Sequence, residues 1–353
     1  MPSERAASTP QALRAARRRR AKTGERAQLA ARHRWRQLAK LRAGLRRLGW
    51  RSEALLARLV MAAIRVLPER AALAVGALGG RAALRLSPRH RERARTNMRL
   101  VFPDWSDVRI DALLRANFAE MGRIAVEWAQ LAQLSPEALL ARVEFHGLEH
   151  LEKALLRGRG AIVVTAHYGH WELIPSALRY RLPHVEIAPT GRRLGNPFVQ
   201  AMVASRRNLG GGVVLERDTA EIIHALRRNA AVGILVDLRR SRKRGGVLVP
   251  FLGRRAWTTH GPATIARRTR AAVIPAFTRR SEGARHRIEF LPELEQPRGP
   301  DLYADTKAVT AALNEALASF ILAEPSSWLW IHRRWRKSPE LARGLYGPEA
   351  ARR

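Results

Sequence analysis

The sequence predicts an α/β fold: a mixed, mostly parallel sheet with helices on both faces, preceded by a helical N-terminal portion. Three observations predict it. From Val143 onward, apolar β-branched runs of strand length alternate with segments of helical period, the pattern of βα units. One such run, Ala161-Ile162-Val163-Val164-Thr165, shows no polar alternation, as in a strand buried on both faces. At 353 residues the chain suffices for one large α/β domain with a helical appendage.

Residues 1–48 are rich in Ala, Arg and Gln and include the run Arg17–Arg20. They hold too few large apolar side chains for a core, and read as a basic, disordered extension. Between Ala54 and Leu67 the residues Leu55, Leu56, Leu59, Val60, Ala63 and Ile64 recur at helical spacing, with Arg58 and Arg65 on the opposite side. A second helix, Ala71–Leu86, carries Gly76, Gly79 and Gly80. Neither offers the roughly 20 apolar residues of a membrane span. Residues 49–135 therefore read as helices lying in a membrane interface, with ordinary core-facing helices as the alternative. Arg89–Leu134 is helical with a break at Phe102-Pro103-Asp104. From Ser106 its apolar face (Ile110, Leu113, Leu114, Phe118, Met121, Ile124) suits packing on the sheet or walling a lipid groove.

The α/β domain is expected over 136–340, with a tail at 341–353. Its strands fall near 161–166, 185–188, 213–216, 231–236, 273–277 and 287–291. Its helices fall near 171–181, 196–208, 218–228, 260–270 and 303–322.

Lys and Arg number 65 against 30 Asp and Glu, a formal charge of +35. Residues 1–50 hold 15 of the basic and 2 of the acidic residues, so +13 lies there and +22 over the rest. Such a field implies an anionic partner: an acidic membrane surface, an acidic protein or nucleic acid. Cysteine is absent, which excludes disulfides, thiol nucleophiles and Cys-ligated zinc and fits a cytoplasmic location. The basic start lacks the apolar core and cleavage site of a secretory signal.

The chemistry concentrates in Ala161–Pro175, AIVVTAHYGHWELIP. His167 and Glu172 fall between the carboxyl end of a strand and the start of the next helix, where open α/β sheets keep their sites. An imidazole can take a proton from a hydroxyl while a carboxylate holds its other nitrogen. Glu172 is the expected partner. A satisfied structural pair is the competing reading. His-x-x-His-x-Glu also admits a metal site, although His167 and His170 lack the i, i+4 spacing of a helical ligand pair. There is no G-x-S-x-G, and with no cysteine either a covalent acyl-enzyme has no seat. Direct attack by an activated substrate hydroxyl remains.

HYGHWE resembles the H-x4-D/E block of the lysophospholipid acyltransferase superfamily, in particular the lipid A biosynthesis lauroyl/myristoyl acyltransferases. Further blocks follow in order: RARTNMRLVFPDW from Arg93, GNPFVQAMVASRRNLGG from Gly195, GILVDLRR from Gly233, VPFLGRRAWTTHGPATIARRTRAAVIPAF from Val249 and EPSSWLWIHRRWRK from Glu324. The resemblance runs from about Glu53 to Pro339. It implies a glycerol-3-phosphate-acyltransferase-like αβα sandwich and transfer of a fatty acyl chain from acyl carrier protein or acyl-CoA to a hydroxyl. The implied acceptor is a lipid A precursor, or else another glycolipid or a lysolipid. The implied place is the cytoplasmic face of an inner membrane rich in anionic lipid, and no metal or redox cofactor is implied. Two departures stand out. Leu238 occupies the glutamine position of the family's Asp-Gln pair, and the N-terminal anchor is less apolar than usual.

Four further positions join the expected site. The resemblance places a functional arginine at Arg206 or Arg207, where a guanidinium could hold a phosphate or the thioester oxyanion; plain surface arginine is the alternative. Asp237 closes a strand and could position a basic partner or the acceptor, against a structural salt bridge. Thr258 to Pro262 suits a helix N-terminus, so Thr258 and Gly261 are expected at a phosphate. Trp328, Trp330 and Trp335, interleaved with His332, Arg333, Arg334, Arg336 and Lys337, read as a headgroup-binding segment, with base stacking as the alternative. A non-catalytic membrane- or nucleic-acid-binding protein is the other functional class.

Overall fold

The computed structural model describes residue 35 and residues 44–191, 195–208, 214–215, 218–341 and 345–346; side chains at 132, 205–208 and 214–215 are not described. The N-terminal helices are α1 (residues 44–65), α2 (Glu69–Leu86), α3 (Pro88–Val101) and α4 (Asp107–Gln130). After the short α5 (Pro136–Leu140) the chain runs β1 (Val143–His146), α6 (Leu148–Leu155), β2 (Ala161–Thr165), α7 (Leu173–Arg181), β3 (Ile187–Gly191), α8 (Pro197–Asn208), β4 (Val214–Leu215), α9 (Thr219–Arg227) and β5 (Ala231–Leu235). Then come β6 (Gly246–Phe251), β7 (Arg254–Thr259), α10 (Gly261–Thr269), β8 (Ala272–Arg280), β9 (His286–Phe290) and α11 (Leu302–Ala323).

Seven strands form one sheet in the order β1-β9-β8-β2-β5-β3-β4. The run from β8 through β2, β5 and β3 to β4 is parallel throughout. Only β9, antiparallel to β8, reverses the direction, and β1 follows it. The mixed, mostly parallel α/β sheet expected from the sequence is therefore the one that forms. All five residues of β2 are buried, because helices cover both faces of this central strand. Ile174, Ala177 and Leu178 of α7 pack on Val163, Ala231 and Ile274 on one side. Ile222 and Leu226 of α9 and Ile265 of α10 pack on Ile162, Val164 and Val232 on the other.

Compact packing divides the chain into two units. In the smaller one, Met1–Ala57 with Asn196–Val199, the Asn196 amide donates to the Trp50 carbonyl and to Glu53, each at 3.0 Å. In the larger one α2 and α4 cross at glycines. A Cβ on Gly80 would sit 1.9 Å from the Phe118 carbonyl oxygen, and one on Gly122 2.0 Å from that of Gly76, so no larger residue fits either place. The helix break at Phe102-Pro103-Asp104 falls as expected, and Ser106 caps α4 by accepting from the Arg109 amide. Among the described residues no helix is long and apolar enough to cross a membrane.

A buried ionic cluster ties α4 to the sheet. Glu127 accepts from both terminal nitrogens of Arg280 (2.6 and 2.7 Å) and from His286 Nε2 (2.9 Å), while Arg280 Nε donates to Glu120 at 2.8 Å. His170, from the HYGHWE stretch, lies against His286 with ring centroids 5.4 Å apart. Neither of its ring nitrogens has a hydrogen-bond partner among the described residues. Burial pushes its pKa down to about 3. The unfolded chain thus takes up a proton below the ordinary 6.5 that the folded chain refuses, so stability is greatest above that pH and falls as pH drops toward 3. From pH 7 to pH 5 this one group is expected to remove about 2 kcal/mol. In urea unfolding at the two pH values, His170→Leu should shrink the difference by that amount; an unchanged difference would show that His170 protonates freely in the native state.

Candidate active site

The parallel register of β2 and β5 builds the centre. Thr165 pairs with Leu235, so the residues two positions beyond, His167 and Asp237, emerge side by side at the carboxyl end of the sheet. His167 Nδ1 lies 2.8 Å from Asp237 Oδ1, and the Trp328 indole N–H donates to Asp237 Oδ2 at 3.1 Å. Asp237 is 1% exposed and His167 21%. Burial alone would raise the Asp237 pKa, but the charge and hydrogen bond of His167, with the Trp328 indole, bring it to about 2. The carboxylate is ionised and can only accept. The proton therefore sits on Nδ1, and Nε2 is left as the basic nitrogen.

Two backbone features hold this geometry. Gly169 has φ +54°, and a Cβ there would lie 2.1 Å from the Thr278 carbonyl oxygen, so the turn after His167 requires glycine. The C-terminal segment then pairs with the turn: Tyr168 bridges Trp328, Leu329 N–H donates to the His167 carbonyl (3.0 Å), and Gly169 N–H to that of Ser327 (2.9 Å). His332 Nε2 accepts from the Arg239 amide at 2.8 Å and so pins the loop that carries Asp237. Burial pushes His332 down to about 4, keeping it neutral and able to accept.

Several expectations are corrected here. The Nδ1 place assigned to Glu172 belongs to Asp237. Glu172 instead takes the N-cap position at the start of α7 and, with Trp171, lines an apolar pocket between α7 and the sheet, over Val163, Gly233 and Leu235. Trp171 meets the His167 ring edge-on at 5.1 Å. Thr258 is not at a phosphate: it is fully buried, accepts from Arg334 Nη2 (2.6 Å) and Asn314 Nδ2 (3.2 Å), and belongs to the core. Trp328, Trp330 and Trp335 do not face headgroups; they are 1%, 0% and 1% exposed and pack with Phe251 and Phe102. Gly261 does reach an opening, a second and more polar cavity beside Thr259 and His260. Leu238 is exposed. The side chains of Arg206 and Arg207 lie outside the described residues.

Residues 49–337 match the family described as bacterial lipid A biosynthesis acyltransferase. The chain belongs to this family. The acyltransferase is 27% identical over 264 residues to the lipid A biosynthesis palmitoleoyltransferase of Escherichia coli K12, covering 72% of this chain and 81% of that protein. It is 25% identical over 256 residues to the lipid A biosynthesis acyltransferase of Haemophilus influenzae, 71% and 78% of the two chains. It is also 29% identical over 279 residues to the phosphatidylinositol mannoside acyltransferase of Mycolicibacterium smegmatis, 77% and 88% of the two. The matched span contains the acyltransferase's His167, Asp237 and Trp328 alike. Sequence reasoning found His167 and placed Asp237 at a strand end. It missed Trp328 and His332 as supports because both lie about 90 residues from what they hold; |i−j| is 91 and 93.

Proposed function

We propose that the acyltransferase moves a fatty acyl chain from an acyl thioester, on acyl carrier protein or CoA, to a hydroxyl of a lipid A precursor. The observation that carries this is the His167–Asp237 pair, a general base with its tautomer fixed by a buried, ionised carboxylate. The acceptor hydroxyl gives its proton to His167 Nε2 as its oxygen bonds to the thioester carbonyl carbon. The tetrahedral oxyanion then collapses, the C–S bond breaks, and the departing thiolate takes the proton back from the imidazolium. Asp237 stabilises that imidazolium without taking the proton. Arg206 or Arg207 is assigned to the developing oxyanion on the strength of the family resemblance. The apolar cavity beside Trp171 and Glu172 suits the acyl chain, since its lining is almost wholly hydrocarbon.

The setting is the cytoplasmic face of the inner membrane, reached peripherally. Leu45, Leu48, Leu55, Leu56, Leu59 and Val60 of α1 are exposed, and Arg46, Arg47, Arg51 and Arg58 alternate with them, the composition of a helix lying among anionic headgroups. The net charge of +35 favours that surface and an acidic carrier protein equally. A second reading, acylation of a mannosylated phosphoinositide, is favoured by the 29% identity to the mycobacterial-type enzyme.

The test is a mass-spectrometric profile of lipid A and total lipids from cells lacking the protein, restored with wild type or with His167→Ala. One lipid should lack an acyl chain in the deletion and regain it with wild type alone, which identifies acceptor and chain length together. Identical profiles in all three strains would overturn the reading.

A further inference from the structure

We propose that Asn97 of α3 and Asn117 of α4 are positioning residues of the catalytic pair, acting on His167 and Asp237 through the C-terminal segment 326–332. This rests on the acyl-transfer reading and adds two residues of the N-terminal helices to its machinery. Both side chains are enclosed, at 0% and 1% exposure. Asn117 Nδ2 donates to the carbonyls of Ser326 and Trp328, each at 2.7 Å. Asn97 Nδ2 donates to those of Trp330 (2.6 Å) and His332 (2.7 Å). Two amides thus hold four carbonyls at alternate residues, and each spends both of its N–H groups on the segment. The Tyr346 hydroxyl donates to Asn97 Oδ1 at 2.7 Å and fixes the orientation of that amide.

The same segment bonds to both members of the pair. The peptide joining Trp328 to Leu329 is trans, so its C=O and N–H point in opposite directions. Its oxygen accepts from Asn117, and its N–H donates to the His167 carbonyl at 3.0 Å. The Trp328 side chain reaches Asp237 Oδ2 with its indole N–H at 3.1 Å. Trp328 and the Leu329 amide therefore link Asn117 to His167 and Asp237 alike. Further along, His332 has its carbonyl on Asn97 and its Nε2 on the amide of Arg239, just past Asp237.

Hydrogen-bond satisfaction alone does not require these amides. The Trp328 and His332 carbonyls also accept from Trp330 N–H (3.0 Å) and Arg334 N–H (2.8 Å) within the segment itself. Asparagine is a poorer helix former than alanine, and a buried amide is costly unless bonded, so neither helix gains from one at these positions. What the amides add is location. Apart from the single bridge to Tyr168, residues 328–332 lie in no strand or helix, so side-chain bonds set where the indole and the Leu329 amide come to rest. A shift of about 1 Å in a catalytic group can cost on the order of 10²-fold in rate.

The test uses Asn117→Ala and Asn97→Ala in the full chain. Alanine favours the helix, and the space it leaves admits water to the freed carbonyls, so the fold should survive; Tm checks that it does. Each variant should lower kcat about tenfold or more, with KM within about twofold of wild type. In an Asp237→Asn background neither substitution should lower kcat further, because the pair it acts through is already broken. Asn117→Ser and Asn97→Ser keep one donor each and should fall between wild type and alanine; they carry the test if the alanine variants do not fold. A second measurement needs no turnover. The proton between His167 Nδ1 and Asp237 should give a downfield ¹H resonance that Asp237→Asn abolishes and that the asparagine variants shift or broaden at unchanged Tm. Wild-type kcat in the folded variants overturns the proposal, as does an equal loss in the wild-type and Asp237→Asn backgrounds. Failure of both the alanine and the serine variants to fold likewise reduces the amides to ties of the fold. A wild type that transfers nothing overturns the acyl-transfer reading instead; the downfield proton then decides alone, and an unmoved resonance overturns the positioning role.

Discussion

His167→Ala and Asp237→Asn should each lower acyl transfer by roughly 10²–10⁴-fold, and the double variant should be no worse than the poorer single one. His167 supplies the base, and without it the acceptor hydroxyl keeps its proton through the attack. Asp237→Asn preserves the shape but replaces an ionised acceptor with an amide. An Asn there can turn its NH₂ toward Nδ1, which would put the ring proton on Nε2 and abolish the base. Because the two groups act as one unit, their losses do not add. Additive losses would mean that Asp237 works independently of the imidazole, for instance on the acceptor.

Glu172→Gln provides the contrast. With Nδ1 held by Asp237, it should cost clearly less in kcat than Asp237→Asn. The reverse order would return the orienting role to Glu172. Because Asp237 is ionised down to about pH 2, it should add no acid limb of its own to the wild-type rate profile above that pH. A limb that moves when Asp237 is replaced but not when the imidazole environment is otherwise perturbed would contradict this.

The strand-and-helix grammar of the sheet was legible because each signal is local. The unbroken apolar run at Ala161–Thr165 and the strand ending before Asp237 both announce themselves within six residues. The β6–β7 hairpin was not. Its two-residue turn is Leu252-Gly253, with φ of +48° and +77°, and a leucine in the left-handed region lacks the Asn-Gly or Asp-Gly signature that normally marks such a turn. The tryptophan-rich segment misled for a related reason. Interleaved arginines suggest a wet, charged surface, yet Arg334 is itself fully buried, stacked over Phe251 at 4.6 Å and bonded to Thr258 and the Trp257 carbonyl. Pairing Asp237 rather than Glu172 with His167 follows from a register between strands 70 residues apart, which no local pattern encodes.

The same dependence on distant partners makes the Glu127 cluster the place where stability is most exposed to one substitution. Arg280→Met should destabilise the fold by about 3–5 kcal/mol at pH 7, measured by urea unfolding, because it leaves Glu120 and Glu127 buried without their shared cation. The pH dependence separates this from simple loss of packing. Burial would raise the Glu127 pKa, but its bonds to His286 and Arg280 lower it from 4.5 to about 2. A carboxyl depressed in this way contributes stability that is present above 4.5 and is lost as pH falls through about 2. In Arg280→Met only the His286 bond still holds the carboxyl down, so burial pushes its pKa above the wild-type position. Its protonation then relieves the variant as pH falls through the range in which the wild type begins to weaken. The gap between the two proteins should therefore narrow from pH 7 to pH 4. A gap that stays constant would mean that Arg280 contributes through its hydrocarbon contacts, and that α4 is held to β8 and β9 without help from the ion pair.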